Sequence, residues 1–469
     1  MLYYAVYCFK CTKNVKGGHR VEDKNLTMAR LIAEKVRERG GRVYYVGGFV
    51  RDIIMGKESK DIDIEVHGIT PEALMEILNG VGTPNAMGAS FGILGLSHYD
   101  IDISMPKKDG ADRGKNDFSA SADPFAGTEK AALRRDFTMN ALMQDVLTDE
   151  IVDCFGGVSD IKNKIIRHVD DKTFTEDPLR VVRAAQFSAR FGFEIAEETT
   201  ELCRSIDITE IPFERIFEEL KKALMKSDKP SVFFEVLRNM NALDFWFPEV
   251  KALIGVEQPP QFHPEGDVWV HTMMVLDKAA TLRDKAQFPT EFMLSALCHD
   301  FGKVCTTKVI DGRIRSFGHE EEGIPIAEGF IKRLTRDVKL RKYVANMVKL
   351  HMRPNIIASQ KSSLKAFCKL FDESVCPEDL LLLSESDFLG RTDSEDYTER
   401  KEYLAVMLSD FKKRMNLPYV GGDDLIKLGY KPSKELGEAL RYAHKLRLSG
   451  VPKKDALRQT VTFIESLNK

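Results

Sequence analysis

The sequence predicts an α+β protein in which a small mixed-sheet section is followed by a chain that is helical to its end. Between about residues 25 and 155, short apolar segments typical of strands alternate with amphipathic helical segments. After about residue 156 the strand patterns fade and helical periodicity dominates. A length of 469 residues is enough for two to four domains of ordinary size.

The composition is that of an ordinary water-soluble protein. Hydrophobic residues make up 43% of the chain and charged residues 30%, and no apolar run approaches the roughly 20 residues that span a bilayer. We therefore expect a cytoplasmic protein with no membrane partner. Eight scattered cysteines indicate reduced thiols, and the CxxC of Cys8 and Cys11 lacks the further ligands of a zinc site. The net charge of −3 does not indicate a nucleic-acid partner, although it can conceal local basic patches.

The first section is predicted element by element from its periodicity and its glycines. The predicted elements are, in order, helix 25–39, strand 43–46, a Gly47-Gly48 turn, helix 49–55, strand 61–66, helix 71–78 and two strands within 91–104. Residues 105–130 are rich in Gly, Asp, Lys and Ser, and they are predicted to form a loop. Residues 1–24 are predicted to be an extension with little structure.

Asp61 and Asp63 belong to a segment in which acidic and apolar residues alternate strictly. A strand period of two puts both carboxylates on one face, with the intervening isoleucines on the other. Asp102, on the following predicted strand, is a candidate third ligand, and Asp100 has the same parity. Carboxylates suit Mg²⁺, and two divalent ions about 4 Å apart can stabilise the charge that develops during nucleotidyl transfer. The segment therefore predicts a magnesium site.

Gly47 and Gly48 form a glycine turn that opens a helix. Such a turn lets backbone N–H groups approach a phosphate closely, and Arg51 lies one turn further on, within reach of a triphosphate. Two glycines alone are weak evidence, and two alternating acids alone are usually a solvated strand face. Together, in the order strand, glycine turn, helix and acidic strand, they indicate a nucleotide site.

Four segments of the chain carry a family resemblance. They are Gly47-Gly-Phe-Val-Arg-Asp52 with Asp61-Ile-Asp63, Arg134-Arg-Asp-Phe-Thr-Met-Asn-Ala-Leu142, Glu176-Asp-Pro-Leu-Arg-Val-Val-Arg183, and Phe213-Glu-Arg-Ile216 with Glu218-Glu-Leu220. In order and spacing they resemble the motifs of the class II tRNA nucleotidyltransferase and bacterial poly(A) polymerase family.

The resemblance implies a role for each matching residue. Asp61 and Asp63 would be the catalytic, metal-holding carboxylates. The implied contacts with the phosphates and sugar of the nucleotide come from Gly48, Arg51 and Arg135, and those that read the base of CTP or ATP come from Asp177 and Arg180, supported by Arg183. An aspartate accepts from the exocyclic amine that C and A share, and an arginine donates to ring acceptors. Gln186 departs from the family pattern, in which many members have a third arginine.

A second constellation contains histidines and aspartates in the helical part. The candidate metal ligands are His271, His299, Asp300 and Asp387, with His319 and His351 as further candidates. Imidazole and carboxylate ligands that converge from several helices suit a divalent transition metal. The set resembles the HD phosphohydrolase superfamily, which implies hydrolysis of a phosphomonoester or a cyclic phosphodiester, with Lys303 close to a phosphate. The alternative is a degenerate HD domain kept for its helical packing.

These observations predict five segments. They are an N-terminal extension (1–24), a nucleotidyltransferase head (25–155), a helical neck and body for nucleotide selection (156–255), an HD metal-binding domain (256–400) and a helical tail that contacts tRNA (401–469). The tail is assigned because Gly422 to Gly429 also resembles the end of these enzymes.

The predicted function is template-independent addition of C and A to the 3′ end of tRNA from CTP and ATP, with Mg²⁺ at the head. Within the same class, a poly(A) polymerase or an enzyme that adds only A or only CC has the same motifs. A metal-dependent nucleotide phosphohydrolase is the alternative from another class, and a non-catalytic RNA-binding protein ranks last because both ligand sets are complete.

Overall fold

The structure is a computed structural model that describes residues 23–59, 61–85, 93–108, 121–261, 263–392 and 396–467. The chain divides into two compact units, one up to Ile208 and one from Thr209 onward. In these described ranges, no helix is long and apolar enough to cross a membrane. Cys8 and Cys11, almost all of the predicted extension and the middle of the predicted 105–130 loop lie outside the described residues.

A mixed sheet forms the centre of the first unit. Its described strands are β1 (Arg42–Val46), β2 (Ile62–His67), β3 (Pro84–Asn85), β4 (Ile93–Leu96), β5 (Ile101–Ser104), β6 (Met143–Asp145) and β7 (Ile151–Val152). Their order across the sheet is β3-β4-β5-β2-β1-β6-β7. β2 and β5 run parallel, and the other described pairings are antiparallel. The predicted mixed-sheet head is confirmed.

Helices surround this sheet. The described helices of the first unit are α1 (Lys24–Glu38), α2 (Gly48–Ile54), α3 (Pro71–Val81), α4 (Thr128–Leu133), α5 (Gly157–Asn163), α6 (Asp171–Thr175), α7 (Leu179–Phe191) and α8 (Glu197–Arg204). α1 begins where the Asp23 side chain accepts a hydrogen bond from the Asn25 N–H. Its buried face repeats at helical spacing through Met28, Ile32 and Val36, whereas Leu31 is exposed.

The pairing of β2 with β5 determines where the acidic residues lie. Ile62 and Ile64 are buried, and they stand opposite Ile101 and Ile103. The strand begins at Ile62, so the prediction of a strand that starts at Asp61 is wrong by one residue. The reason is that the ladder with β5 starts at Ile62, and Asp61 has no place in it.

The second unit is helical, as predicted, except for a short hairpin of β10 (Lys308–Ile310) and β11 (Arg313–Arg315). A further strand pair that periodicity did not predict, β8 (Ile165–Ile166) with β9 (Glu194–Ile195), lies in the first unit. The described helices of the second unit are α9 (Phe213–Lys226), α10 (Ser231–Asn239), α11 (Pro248–Lys251), α12 (Val268–Ala280), α13 (Pro289–Cys298), α14 (Lys303–Thr306), α15 (His319–Leu334), α16 (Val338–Leu350), α17 (Arg353–Ser359), α18 (Leu364–Glu373), α19 (Pro377–Leu389), α20 (Thr398–Asn416), α21 (Gly422–Ile426), α22 (Lys434–Leu448) and α23 (Lys453–Leu467).

A buried carboxylate ties three of these helices together. Asp379, on α19, accepts hydrogen bonds from the backbone N–H groups of Gln287 and Phe288, just before α13, at 2.7 and 3.0 Å. It also accepts one from the Tyr343 hydroxyl of α16 at 2.6 Å. These bonds compensate for burying the charge, because each lone pair they use would otherwise lose its water. They hold the helices that carry the histidine constellation at a defined separation.

The last helices have an apolar cluster of their own. Leu425 of α21, Leu436 and Ala439 of α22, and Ala456 and Ile464 of α23 are buried against one another. The predicted tail is therefore helical and packed.

Candidate active sites

The acidic site of the first unit is built on the register of two parallel strands. Asp63 of β2 stands opposite Asp102 of β5, and Asp61 directly precedes β2. Burial, together with the nearby charges of Asp102 and Asp61, raises the pKa of Asp63 to about 6, although Arg135 acts in the opposite direction. Carboxylates that raise one another's pKa in this way favour a bound cation, which is what a magnesium site requires.

The alternation of residues in the sequence does not distinguish Asp100 from Asp102 as the candidate for a third carboxylate ligand. The register now separates them, because Asp102 is paired with Asp63 while Asp100 lies outside β5. The pKa of Asp102 is raised by partial burial and then by the charges of Asp100 and Asp61. Asp102 is therefore the residue that the sheet presents beside Asp63.

The glycine turn lies next to these carboxylates. Gly47 has φ 63° and ψ −128°, a conformation that is nearly exclusive to glycine. A Cβ atom at Gly47 would lie 3.9 Å from Asp63 Oδ2 and 3.7 Å from Arg135 Nη1. The turn thus faces one acid and one arginine of the predicted site, and Gly48 opens α2 directly behind it.

Arg135 is held in place by a buried carboxylate. Its Nη2 donates to Glu65 Oε2 at 3.0 Å, and the other oxygen of Glu65 lies 2.9 Å from His67 Nε2. Burial alone would raise the pKa of Glu65, but the charge of Arg135 and the His67 hydrogen bond lower it below its usual value. Glu65 therefore stays ionised and orients Arg135, whose side chain remains 30% exposed beside the turn.

Arg51 lies in a buried polar network. Its Nε and Nη2 donate to Asp52 Oδ1 at 2.9 and 2.8 Å, and its Nη1 donates to Asn140 Oδ1 at 2.7 Å. The guanidinium also lies over the Phe191 ring at 4.7 Å from its centroid. A Cβ atom at Gly48 would be 3.3 Å from Arg51 Nη2, so Arg51 supports the glycine turn from behind.

Asp136 and Asn140 connect this network to helix α7, and the sequence analysis assigned neither of them a role. Asn140 Nδ2 donates to Asp136 Oδ1 at 3.0 Å, and Arg183 donates to Asp136 Oδ2 from Nε at 2.8 Å and from Nη2 at 2.6 Å. Burial would raise the pKa of Asp136, but Arg183 and Asn140 hold it below its usual value. Both residues belong to the Arg134–Leu142 segment, which the sequence marks as a motif. Their contacts with Arg51 and Arg183 are visible only in the structure.

The predicted base-reading residues lie at the start of α7. Arg180 is buried and donates to the backbone carbonyls of Thr173 and Arg134, both at 2.6 Å. Asp177 Oδ1 accepts from the Leu179 N–H at 3.3 Å. Asp177 lies two residues before α7 begins at Leu179, and Arg180 lies in the first turn of that helix.

Gln186, the departure from the family pattern, lies on the same helix as Arg183. It is 1% exposed, and its Nε2 has no hydrogen-bond acceptor among the described residues. A buried amide N–H without a hydrogen-bond partner lowers the stability of the fold. Glutamine at this position, where many family members have arginine, is therefore destabilising.

The histidine constellation of the second unit converges on one carboxylate. Asp300 Oδ2 lies 3.2 Å from His299 Nε2 and 3.7 Å from His271 Nε2. Its other oxygen lies 3.4 Å from His319 Nε2 and 3.9 Å from His351 Nε2. The two oxygens of Asp300 therefore face two separate pairs of imidazoles.

Two further contacts complete this group. Asp387 Oδ1 is 3.2 Å from His271 Nε2. The Nε2 atoms of His319 and His351 are 3.3 Å apart. All six predicted ligands come together in a buried centre, within the second unit alone.

In the four histidines of this centre, the hydrogen bonds of Nδ1 determine which ring nitrogen carries the proton. His299, His319 and His351 each have Nδ1 within 2.6 to 2.8 Å of a backbone carbonyl. His271 has Nδ1 at 2.9 Å from Glu265 Oε1. These acceptors hold the proton on Nδ1, which leaves the Nε2 lone pair for a metal.

The donor set fits a divalent ion. His299 Nε2 is buried without a hydrogen-bond partner among the described residues, and the Nε2 lone pairs of His319 and His351 face each other. Asp300 Oδ2 is approached by the Lys303 ammonium at 2.7 Å. Burial and the charges of neighbouring imidazoles lower the pKa of His351 to about 3, so it is neutral, as a metal ligand must be. A cation among these atoms would relieve the repulsion between them.

Glu265 was not predicted, although its segment was recognised as the entry to the HD domain. It also lies 2.9 Å from His263 Nδ1. Among the described residues, three groups of possible ligand atoms lie within 4.8 Å of one another, and all three belong to this centre. Asp61, Asp63 and Asp102 are not among these groups, so the structure does not bring one oxygen of each of these carboxylates within 4.8 Å of the others.

The fold and these sites define a class: a nucleotidyltransferase with a poly(A) polymerase-type head, followed by an HD domain. The family model "Poly A polymerase head domain" matches residues 43–167. "Probable RNA and SrmB- binding site of polymerase A" matches residues 192–254, and "HD domain" matches residues 268–387.

Full-length relatives narrow this class to one family. The "Multifunctional CCA protein" of Actinobacillus pleuropneumoniae serotype 5b is 34% identical over 371 residues, which cover 76% of this chain and 87% of the relative. That of Nitrosomonas europaea is 35% identical over 379 residues, which cover 78% and 87%. The chain belongs to the family of the multifunctional CCA proteins.

Solved structures share the fold. The Bacillus stearothermophilus CCA-adding enzyme in complex with CTP has a TM-score of 0.68 at 20% identity and covers 95% of this chain and 99% of its own. The Thermotoga maritima CCA-adding enzyme complexed with tRNA has a TM-score of 0.61 at 22% identity, with coverage of 94% and 96%.

We predict that Gly47→Ala weakens the binding of a nucleoside triphosphate at least about tenfold. Alanine at this φ and ψ is strained by about 1–3 kcal/mol, and relaxation of the turn would move it away from Asp63 and Arg135. Calorimetric titration with CTP measures the effect. Gly80→Ala is the control, because that helical glycine has nothing within 4 Å of its added Cβ and should bind normally. Normal CTP binding by Gly47→Ala would contradict the role of the turn.

We predict that Asp300→Asn weakens the binding of a divalent transition metal at the second site by roughly a hundredfold or more, because both oxygens of Asp300 face imidazole pairs. Titration with Co²⁺ in excess Mg²⁺, followed by its absorption spectrum, reports this site specifically. Asp372→Asn, which removes a surface contact to His444, should leave Co²⁺ binding unchanged. Wild-type binding by Asp300→Asn would exclude a shared carboxylate.

Proposed function

We propose that this protein adds C and A to the 3′ end of tRNA, from CTP and ATP and without a template. The observation that carries the proposal is the register of Asp63 opposite Asp102 beside the Gly47 turn. It is supported by the relatives, which are named multifunctional CCA proteins, and by structures described as CCA-adding enzymes with ATP, with CTP and with tRNA.

Asp61, Asp63 and Asp102 fit the role of magnesium ligands. When bound, Mg²⁺ supplies electrostatic stabilisation of the attacking 3′ oxygen and of the leaving pyrophosphate. Asp63 is half-buried on β2, and the charge of Arg135 acts on its carboxylate. Asp61 is exposed just before β2, where its side chain can adjust to the substrate.

The phosphates are proposed to bind between the glycine turn and two arginines. Gly47 and Gly48 let the backbone approach the triphosphate, and Arg135 remains accessible next to them while Glu65 fixes its orientation. Arg51 acts behind the turn, because its guanidinium is engaged by Asp52 and Asn140. Its positive charge still lies close to the bound anion.

The base is proposed to be read by Asp177 and Arg180, with Arg183 in support. Asp177 accepts from the exocyclic amine that C and A share, and Arg180 donates to a ring acceptor. Arg180 is held by two backbone carbonyls, and Arg183 is held by Asp136, so both guanidiniums are fixed by the protein. A protein template needs such rigidity, because no complementary base is present.

The same motifs fit a poly(A) polymerase or an enzyme that adds only A or only CC. The names of the relatives favour complete CCA addition. A nucleotide phosphohydrolase with an inactive head is disfavoured by the intact acidic register of the head. An enzyme that acts on tRNA would work in the cytoplasm, which agrees with the sequence-based prediction.

A second activity is proposed for the HD centre: hydrolysis of a phosphate ester with a divalent transition metal. The observation that favours it over a domain kept for packing is the set of Nε2 lone pairs directed at Asp300. A helical bundle that needed only to pack would gain more stability from apolar residues at these buried positions. His271, His299, Asp300 and Asp387 would hold one ion, and His319 and His351 would add a second.

We predict that tRNA transcripts lacking their 3′ CCA are extended by three nucleotides when CTP and ATP are both present. With CTP alone, extension should stop after two nucleotides. GTP and UTP should not be used, because G and U have a carbonyl oxygen where A and C have the amine that donates to Asp177. Denaturing gels with each labelled triphosphate measure the products. Incorporation of ATP into a long homopolymer without use of CTP would contradict CCA addition.

We predict that Asp61→Ala with Asp63→Ala abolishes nucleotide addition, and that Asp102→Ala reduces it at least about tenfold, since each change removes a magnesium ligand. Phosphatase activity of the HD centre, measured on the same samples, should remain. Asp100→Ala is the matched control, because this exposed residue lies outside the β2–β5 ladder and should retain addition. Full nucleotide addition by the double variant would contradict the assignment of Asp61 and Asp63 as the catalytic carboxylates.

A further inference from the structure

Arg391 is brought to the HD centre by an unusually close helix contact. Gly390, at the end of α19, packs against α12, and a Cβ atom there would lie 2.7 Å from Val275 Cα and 2.8 Å from Val275 N. Glycine is therefore required at this position. Val275 is one turn beyond His271, so the contact places the next residue, Arg391, beside the ligands. Arg391 Nη2 lies 3.6 Å from Asp387 Oδ1.

The guanidinium of Arg391 is not saturated by this neighbour. The distance of 3.6 Å is longer than a hydrogen bond, and the same oxygen of Asp387 is already in contact with His271 Nε2 at 3.2 Å. Arg391 Nε is buried, and it has no acceptor in the part of the chain that the structure describes. The side chain is 24% exposed and lies over the Phe388 ring. A buried donor without an acceptor indicates a place for a further acceptor.

A second cationic side chain, that of Lys303, also lies at the metal ligands of the HD centre. Lys303 Nζ contacts Asp300 Oδ2 at 2.7 Å and donates to Gln258 Oε1 at 2.7 Å. Lys303, on α14, and Arg391, two residues after α19, therefore both reach the centre.

The charge of the centre calls for an anion once metal is bound. Its buried carboxylates are Asp300, Asp387 and Glu265. They face two side-chain cations, Lys303 and Arg391, so two divalent ions would leave a net positive charge in a buried site. Buried charge that is not compensated is costly, and an anionic ligand would compensate it.

We propose that Arg391 binds the oxygens of a substrate's terminal phosphate at the HD centre, next to the metal ligands. The proposal rests on the metal centre proposed above. A guanidinium can donate two parallel hydrogen bonds to a phosphate, and here one of its donors is otherwise without an acceptor. A free nucleotide and an RNA end both offer such a phosphate, and the chemistry of recognition is the same.

The test is calorimetric titration of inorganic phosphate into full-length protein loaded with Mn²⁺, with metal stoichiometry measured on the same samples. Arg391→Met keeps the packing on Phe388 but removes the donors, and phosphate binding should weaken roughly tenfold or more with both ions retained. Arg391→Lys should recover part of the affinity. Arg400→Met is the matched control, because Arg400 also lies over the Phe388 ring, at 4.5 Å, and should bind phosphate as wild type does.

The outcomes separate this inference from the metal centre. Wild-type protein that binds no transition metal would overturn the centre and the inference together. Metal-loaded Arg391→Met that binds phosphate normally would overturn the inference alone, as would loss of metal by both Arg391 variants, because Arg391 would then act by holding Asp387. The same titrations with a nucleoside monophosphate and with an oligoribonucleotide ending in a phosphate show which source binds, and the weakening is expected for either.

Discussion

The parallel pairing of β2 with β5 is the interaction on which the head site depends. Its register sets Asp63 opposite Asp102 and fills the other face with buried isoleucines. A slip of one residue would exchange the two faces, burying carboxylates in the core and exposing apolar side chains to water. The same apolar contacts that stabilise the sheet therefore hold the acids together, although like charges repel. The Gly47 turn then needs only to lie at the end of β1, the neighbour of β2.

The centre in the second unit solves the same problem with different groups. Asp300 lies between two pairs of imidazoles, and the partners of each Nδ1 turn every Nε2 inward. Four buried rings whose lone pairs point inward are unfavourable without a cation. Rigid helices, tied by Asp379 and by the close Gly390 contact, keep these groups converged. In both sites, the unfavourable electrostatic free energy of the grouped side chains is offset by the packing of the surrounding structure.

Much of each site could be predicted because its signal is local. The alternation around Asp63, the glycines before α2 and the adjacent His299 and Asp300 are visible within a few residues. The partners of those residues were not predictable in the same way. In the sequence, Glu65 is one more acidic residue on a polar strand face, and nothing indicates its contact with Arg135. The contact of Asp136 with Arg183 joins residues that are 47 positions apart in the chain. Sequence patterns carry period and composition, but not the distance between remote side chains.

The sequence by itself determined the α+β class, the order of the motifs and the residue types that the chemistry needs, because periodicity and spacing along one strand or helix are properties of the local chain. Only the tertiary structure paired Asp102 rather than Asp100 with Asp63, began β2 after Asp61, and placed Arg391 beside Asp387. These depend on strand register and on a glycine-permitted helix contact, which arise when distant segments pack and which no local pattern encodes.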